Sequence, residues 1–337
     1  MDGVVDGWWT ATLSQQGCNV SKEVAESCFG PESWGESWLA PLGPLKCIAG
    51  CRAAFSTSIL YHVFPDNAFK TVYQAWSKGE PADLSEKLEK TFQEVLTDLG
   101  VSSPKKYSAF AAFGFQPVGA GVPWMPSGAR IGIPANFNST LDDSTGITNR
   151  VILINGKEVD WDSSSGTVLK HALLFSPQAQ KFAVAREVAR LDSGGPVLHA
   201  TVAPACLAGV CVYSVALKQI FGLYSGPALK RGAVNVFALA LGAVSYLLTS
   251  DAVCHWMDYK SDRTAASVSQ DYAKGGVEFY DKILSRNKTL RTLMGQKGGE
   301  TYAPSGNLFP SSMFRMKHAS YTSRREGVAS LLKLDKA

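Results

Sequence analysis

Two stretches without a single charged residue constrain this chain more than anything else in it. Residues 197–217 (VLHATVAPACLAGVCVYSVAL) and 232–250 (GAVNVFALALGAVSYLLTS) contain no Asp, Glu, Lys or Arg. As helices, each covers roughly 30 Å at about 1.5 Å per residue, the thickness of a bilayer's hydrocarbon core. Helices of globular proteins average roughly 11–12 residues, so two such runs in succession predict a transmembrane hairpin and not a pair of core helices. Small residues at four-residue spacing, Ala205 and Gly209 in the first run and Ala238 and Gly242 in the second, predict close packing between the two. The connection, 218–231, holds Lys218, Lys230 and Arg231 and no acid.

The hairpin explains why charged residues make up only 18% of the chain while hydrophobic ones make up 45%. The net charge of +4 is too mild for a nucleic-acid footprint. Seven cysteines at irregular spacing, two of them inside the first charge-free run, argue against a secreted disulfide framework. Cys47 and Cys51, one helical turn apart in an apolar segment, read as packing residues. Residues 1–43, rich in Trp, Ser and Gly, read as a loosely ordered leader. Its acids (Asp2, Asp6, Glu23, Glu26, Glu32 and Glu36 against Lys22) are unlike an Arg-rich presequence, and it has no apolar run of secretory length.

Residues 44–64 read as an interfacial or degraded first transmembrane helix, because Arg52 inside the apolar run costs several kcal/mol at the bilayer centre. Residues 65–196 read as a soluble α+β part. Leu84, Leu88, Phe92, Val95, Leu96 and Leu99 recur at helical steps, with Asp83 or Ser85 as N-cap and Gly100 at the stop. RIGIPANF (130–137) and RVILINGKEVDW (150–161) read as strands, and Asn155-Gly156 signals a tight hairpin turn. Ser176-Pro177 opens a helix over SPQAQKFAVAREVARLD that ends at Gly194-Gly195-Pro196. After the hairpin segment 197–250, residues 251–337 read as a soluble helical part and a basic tail, with helix over 262–284 broken at Gly275-Gly276.

The histidines, His62, His171, His199, His255 and His318, include no pair at zinc-ligand spacing. No GxSxG, P-loop or dinucleotide fingerprint occurs. No catalytic residue, metal ligand or cofactor is therefore expected. The most informative stretch is ARExAR-like: Arg186, Glu187 and Arg190 form a narrow polar stripe on an otherwise apolar helix. One reading is a solvated face. The sharper reading notes that Arg-Glu-x-x-Arg has the spacing of His-Glu-x-x-His with both ligands replaced. The order of surrounding segments resembles CAAX-prenyl-protease-like zinc metallopeptidases: Pro126-Ser127-Gly128 before strand RIGIP, the AREVAR helix, a membrane hairpin, Asp262-Arg263-Thr264-Ala265 where Glu-x-x-Ala would stand, and His318 six residues before Arg324. This resemblance implies a degenerate, zincin-like domain interrupted by the two-helix hairpin, in an α+β membrane protein. Its degenerate-site positions are Arg186, Glu187, Arg190, Asp262, His318 and Arg324, and a guanidinium of Arg186 or Arg190 is expected within salt-bridge reach of Asp262.

At closer range, the blocks YHVFPD (61–66), FQEVL (92–96), AQKFAVAREV (179–188), APACLAG (203–209), GGVEFYDKIL (275–284), TYAPSGN (301–307) and FRMKH (314–318) resemble the transmembrane protein 177 family. The blocks are collinear from about residue 55 to residue 328. The resemblance implies a multi-pass protein of the mitochondrial inner membrane, linked to biogenesis of cytochrome c oxidase subunit 2 together with that subunit's dedicated inner-membrane chaperone. Membrane lipid is the other expected partner, and nucleic acid is not. The expected function is a non-catalytic assembly factor that stabilises newly made subunit 2. The alternative is a membrane-bound metallopeptidase-like enzyme with residual activity. A small transporter or channel is a third class, opposed by His199 being the one ionisable group in the two membrane runs, where a substrate pathway usually needs more. The basic connection 218–231 would then face the matrix, and the soluble part the intermembrane space.

Overall fold

The computed structural model describes residues 44–77, 79–140, 143–148, 152–154, 156–310 and 315–334. The leader 1–43 and Asn155 lie outside the described residues. In chain order the α-helices of six or more residues are α1 (Pro44–Val63), α2 (Glu86–Asp98), α3 (Ser164–Leu173), α4 (Pro177–Asp192), α5 (Gly195–Ile220), α6 (Ala228–Ala266), α7 (Gln270–Leu293), α8 (Gln296–Thr301) and α9 (Tyr321–Leu334). The strands are β1 (Trp76–Ser77), β2 (Glu80–Pro81), β3 (Tyr107–Ala112), β4 (Val118–Val122), β5 (Gly128–Pro134), β6 (Leu153–Ile154) and β7 (Lys157–Glu158). The chain divides into two compact units. One takes α1 up to Leu60 and the hairpin Val197–Val253; the other takes Tyr61–Pro196 and everything from Cys254 onward.

In the hairpin unit, α5 and α6 contain both charge-free runs, and each is long and apolar enough to cross a membrane. They lie antiparallel. His199 Nε2 meets Ser250 Oγ at 3.1 Å toward one end, and Ser214 Oγ donates to Asn235 Oδ1 at 2.9 Å toward the other. The small-residue expectation is half right. Ala238 is buried, and a Cβ on Gly242 would come within 2.0 Å of the Val210 side chain. Ala205 and Gly209 are exposed, and a Cβ on Gly209 would meet nothing within 4 Å. The face of α5 turned inward is instead Val202, Val210, Ser214 and Lys218, at steps of four or eight residues, one helical row away from Ala205 and Gly209.

Helix α1 runs antiparallel to α5 in this unit, with Gly50 against Leu207 and Cys51 Sγ donating to Pro204 O at 3.4 Å. The reading of Cys47 as a packing residue is corrected. Cys47 forms a disulfide with Cys211, 164 residues on, a link that spacing along one helix does not reveal. Large apolar side chains cover the outside of the hairpin, among them Val212, Ile220, Phe221, Val236 and Leu248, with Leu229 81% exposed.

The second unit is built on a three-stranded sheet of order β3-β5-β4, with β3 parallel and β4 antiparallel to β5. Ile131 and Ile133 of β5 are fully buried in one cluster with Phe92 and Val95 of α2 and Val188 and Leu191 of α4. The α2 reading holds, with Ser85 as the N-cap accepting from Leu88 N and Gly100 in the left-handed region at φ 62°. The β6–β7 ladder pairs Ile154 with Lys157, and Gly156 takes φ 73°, as the hairpin signal demands.

Helices α4 and α7 form the spine of this unit. Gly275 and Gly276 do not break α7; they let it press onto α4. A Cβ at Gly275 would sit 2.4 Å from the Gln178 carbonyl, and one at Gly276 would sit 2.7 Å from the Phe182 ring. The interruption expected inside 262–284 falls earlier. Helix α6 ends at Ala266, and Ser269 caps α7 by accepting from Tyr272 N.

Candidate functional site

The sequence made α4 apolar on nearly every side, so its polar stripe has to be satisfied inside the fold. Ser176 caps the helix by accepting from Ala179 N at 3.2 Å, with Pro177 in the first turn. Phe182, Val184, Ala185, Val188 and Leu191 are buried around it. Glu187 is buried too, only 4% exposed, so the stripe is not a solvated face. Its carboxylate accepts from Arg186 and, at 3.0 Å, from Nε of Arg190. Arg190 also donates through Nη2 to Gly119 O at 2.7 Å, on the outer edge of β4. Two residues along that edge, Gly121 N donates to His62 Nδ1 at 3.3 Å. Side chains of the chain itself thus close this edge against an added strand.

A second set of charges lies at the end of α6. Asp258 and Asp262, one turn apart, point to α9. Arg324 grips Asp262 with both arms of its guanidinium, Nε to Oδ2 at 2.7 Å and Nη2 to Oδ1 at 2.8 Å. Its third nitrogen reaches Asp258 Oδ1 at 3.3 Å. Tyr280 of α7 donates its hydroxyl to Asp262 Oδ1 at 2.7 Å. His318 Nδ1 lies 3.2 Å from Asp258 Oδ2, and Ala319 N donates to the same oxygen. Arg324 stacks over the Tyr280 ring and Arg186 over the neighbouring Phe279 ring, at 5.2 and 5.8 Å.

The expected bridge from α4 to Asp262 is therefore corrected. Asp262 pairs with Arg324, not with Arg186 or Arg190. The fork of Arg324 matches a carboxylate bidentately, which neither helix arginine does once committed to Glu187. The two sets still act on each other, since the charge of Asp262 helps hold Arg186 in its protonated form. All six positions singled out from sequence (Arg186, Glu187, Arg190, Asp262, His318 and Arg324) thus belong to one unit and one electrostatic neighbourhood. Sequence reading missed Asp258 and Tyr280. The signal for Asp258 was present, an acid one turn before Asp262 on a predicted helix; nothing marked Tyr280.

At Asp258, Glu187 and Arg324 burial and charge compete, and charge wins. Burial alone would raise the carboxyl of Asp258, yet Arg324 and His318 hold it well below the carboxylate range. Burial likewise disfavours an ionised Glu187, and Arg190 and Arg186 overcome it. Arg324 loses hydration but gains more from Tyr280, Asp262 and Asp258, so it stays charged. Burial first, with Asp262 adding to it, keeps the Tyr280 phenol protonated. Three guanidiniums balance three carboxylates, with His318 at the rim.

A zinc ion does not fit this donor set. The two positions a His-Glu-x-x-His helix would give to the metal carry guanidiniums, which have no lone pair to offer. The third position, Asp262, has its oxygens taken by Arg324 and Tyr280. What the arrangement does is tie α4, α6, α7 and α9 together.

Residues 125–313 match the family model described as Transmembrane protein 177. Curated relatives with that name include one from Danio rerio, 66% identical over 290 residues and covering 86% of this chain and 93% of the relative. One from Xenopus laevis is 54% identical, covering 82% and 90%. One from Homo sapiens is 45% identical, covering 84% and 90%. No solved structure matches the chain. With the family model covering residues 125–313 and two helices fit to cross a bilayer, this membrane protein belongs to the transmembrane protein 177 family.

Proposed function

We propose that the chain is a non-catalytic assembly factor of the mitochondrial inner membrane that stabilises newly made cytochrome c oxidase subunit 2 together with its dedicated chaperone. The observation that carries this reading is the neutralised charge network. The most function-like residues of the sequence are spent on each other, leaving no carboxylate of that network poised as base or ligand. A scaffold uses such a network to hold its surface in one shape. The hairpin, with its apolar exterior, keeps that scaffold in the bilayer where a membrane subunit is inserted.

We read the second unit as of degenerate metallopeptidase-like descent from the order of its sequence segments, with Arg324 meeting the charge of Asp262 that a metal would have met. The basic connection of the hairpin favours a matrix location for that loop, and with it the second unit in the intermembrane space. Pulse-labelling of mitochondrial translation tests the function. In cells lacking the protein, labelled subunit 2 should decay faster than subunits 1 and 3. Equal decay of all three removes the proposal.

A further inference from the structure

The second set of buried cations lies in the hairpin unit, and it has no acid. Lys218, in the last turn of α5, is only 3% exposed, and no hydrogen bond or ion pair engages it among the described residues. Arg231, in the first turn of α6, has a buried Nε with no partner. Arg231 stands close enough for its charge to act on Lys218. Taking an ion out of water costs several kcal/mol unless a counter-charge meets it. Among the described residues of this unit the one acid is Asp251. It follows Ser250, whose bond to His199 marks the hairpin end away from the loop. Ser214 and Asn235 satisfy each other below the pair and offer it no charge. The missing anion must come from elsewhere.

We propose that Lys218 and Arg231, with exposed Lys230 at the rim, hold the phosphate of an anionic phospholipid headgroup at the loop end of the hairpin. The surroundings favour lipid over free phosphate. Ile220, Phe221 and Leu229 stand exposed beside the cations, with a lipid's two chemistries in register: apolar surface for acyl chains and cations for the headgroup. Basic pockets between membrane helices are a recurrent site for such headgroups. The inference rests on the membrane reading of α5 and α6 and is independent of the assembly role.

The test uses the full chain in nanodiscs of phosphatidylcholine containing about a tenth phosphatidylglycerol, with native mass spectrometry counting the lipids that leave with the protein. Wild type should retain phosphatidylglycerol in preference to phosphatidylcholine. Lys218→Gln with Arg231→Gln should reduce that preference about thirtyfold, taking roughly 1 kcal/mol for each cation at the membrane surface. Lys288→Gln with Lys297→Gln, two exposed lysines of the other unit, should leave it unchanged. Equal enrichment in the Lys218/Arg231 variant overturns the site. Loss of enrichment on adding millimolar inorganic phosphate to wild type overturns the lipid as its ligand. Should the double variant fail to fold, wild type alone decides: its melting temperature must be higher with phosphatidylglycerol than in phosphatidylcholine alone, and an unchanged value refutes the proposal.

Discussion

Arg324 and Arg325 are neighbours on α9, and each grips an aspartate with two nitrogens, yet replacing them should have very different effects. Arg324 is 4% exposed and its partner Asp262 is 4% exposed; Arg325 is 37% exposed and Asp281 is 50% exposed. Arg324→Ala leaves Asp258 and Asp262 buried one turn apart, with the Tyr280 hydroxyl, His318, the Ala319 amide and the charge of Arg186 beyond direct pairing left to meet two negative charges. Removing one partner of a buried pair costs about 3–5 kcal/mol. For a unit of this size that lowers the melting temperature by roughly 6–20 °C, at about 2–4 °C per kcal/mol. Arg325→Ala removes a solvated pair worth about 0–1 kcal/mol, a shift of a few degrees at most. Thermal unfolding of both variants in the same detergent, followed by tryptophan fluorescence, gives the comparison. Equal shifts would show that burial of the Arg324 pair has been misjudged, and with it the claim that the network holds this unit together.

Three further outcomes follow from particular contacts. Gly242→Ala should weaken the α5–α6 pairing by about 1–3 kcal/mol, because the new methyl meets Val210. Gly209→Ala, facing open space, should be neutral or gain up to about 1 kcal/mol; unfolding of the full chain in mixed detergent micelles ranks the two. Asp258 and Glu187 are both pulled below their ordinary values of 3.8 and 4.5. Their contribution is complete above those values and is lost as pH falls below them, so a melting temperature that is level from neutral pH to about 5 should drop below about 4. A drop already complete at pH 6 contradicts this. Cys47 and Cys211 should resist alkylation until a reductant is added, whereas Cys51 and Cys206, outside that disulfide, should label without it. Peptide mapping after labelling separates the two groups.

How much of this was readable in advance depended on whether the signal was local. The hairpin was, because charge-free length is written along the chain. The caps at Ser85 and Ser176 were, because each needs only an oxygen three residues before an amide. The face of α5 was not: Ala205 and Gly209 satisfy the small-residue spacing as well as the true interface does. Nor was the role of Gly275-Gly276, since a glycine pair reads equally as a helix breaker or as a place for close contact. The candidate site was half legible. Segment order gathered Arg186, Glu187, Arg190, Asp262, His318 and Arg324, but the pairing went astray. Arg324 lies 62 residues from Asp262, and nothing local says that the tail brings the stronger partner than the helix before the hairpin.

The central claim is that the chain holds a newly made membrane subunit and does no chemistry on it. Photo-crosslinking in intact mitochondria, with probes on the second unit and on the outer faces of α5 and α6, addresses it directly. The account predicts adducts with full-length cytochrome c oxidase subunit 2 and its chaperone, appearing within minutes of translation and fading as the oxidase assembles. Probes that trap no oxidase-assembly partner, or that trap subunit 2 only as cleaved fragments, contradict it.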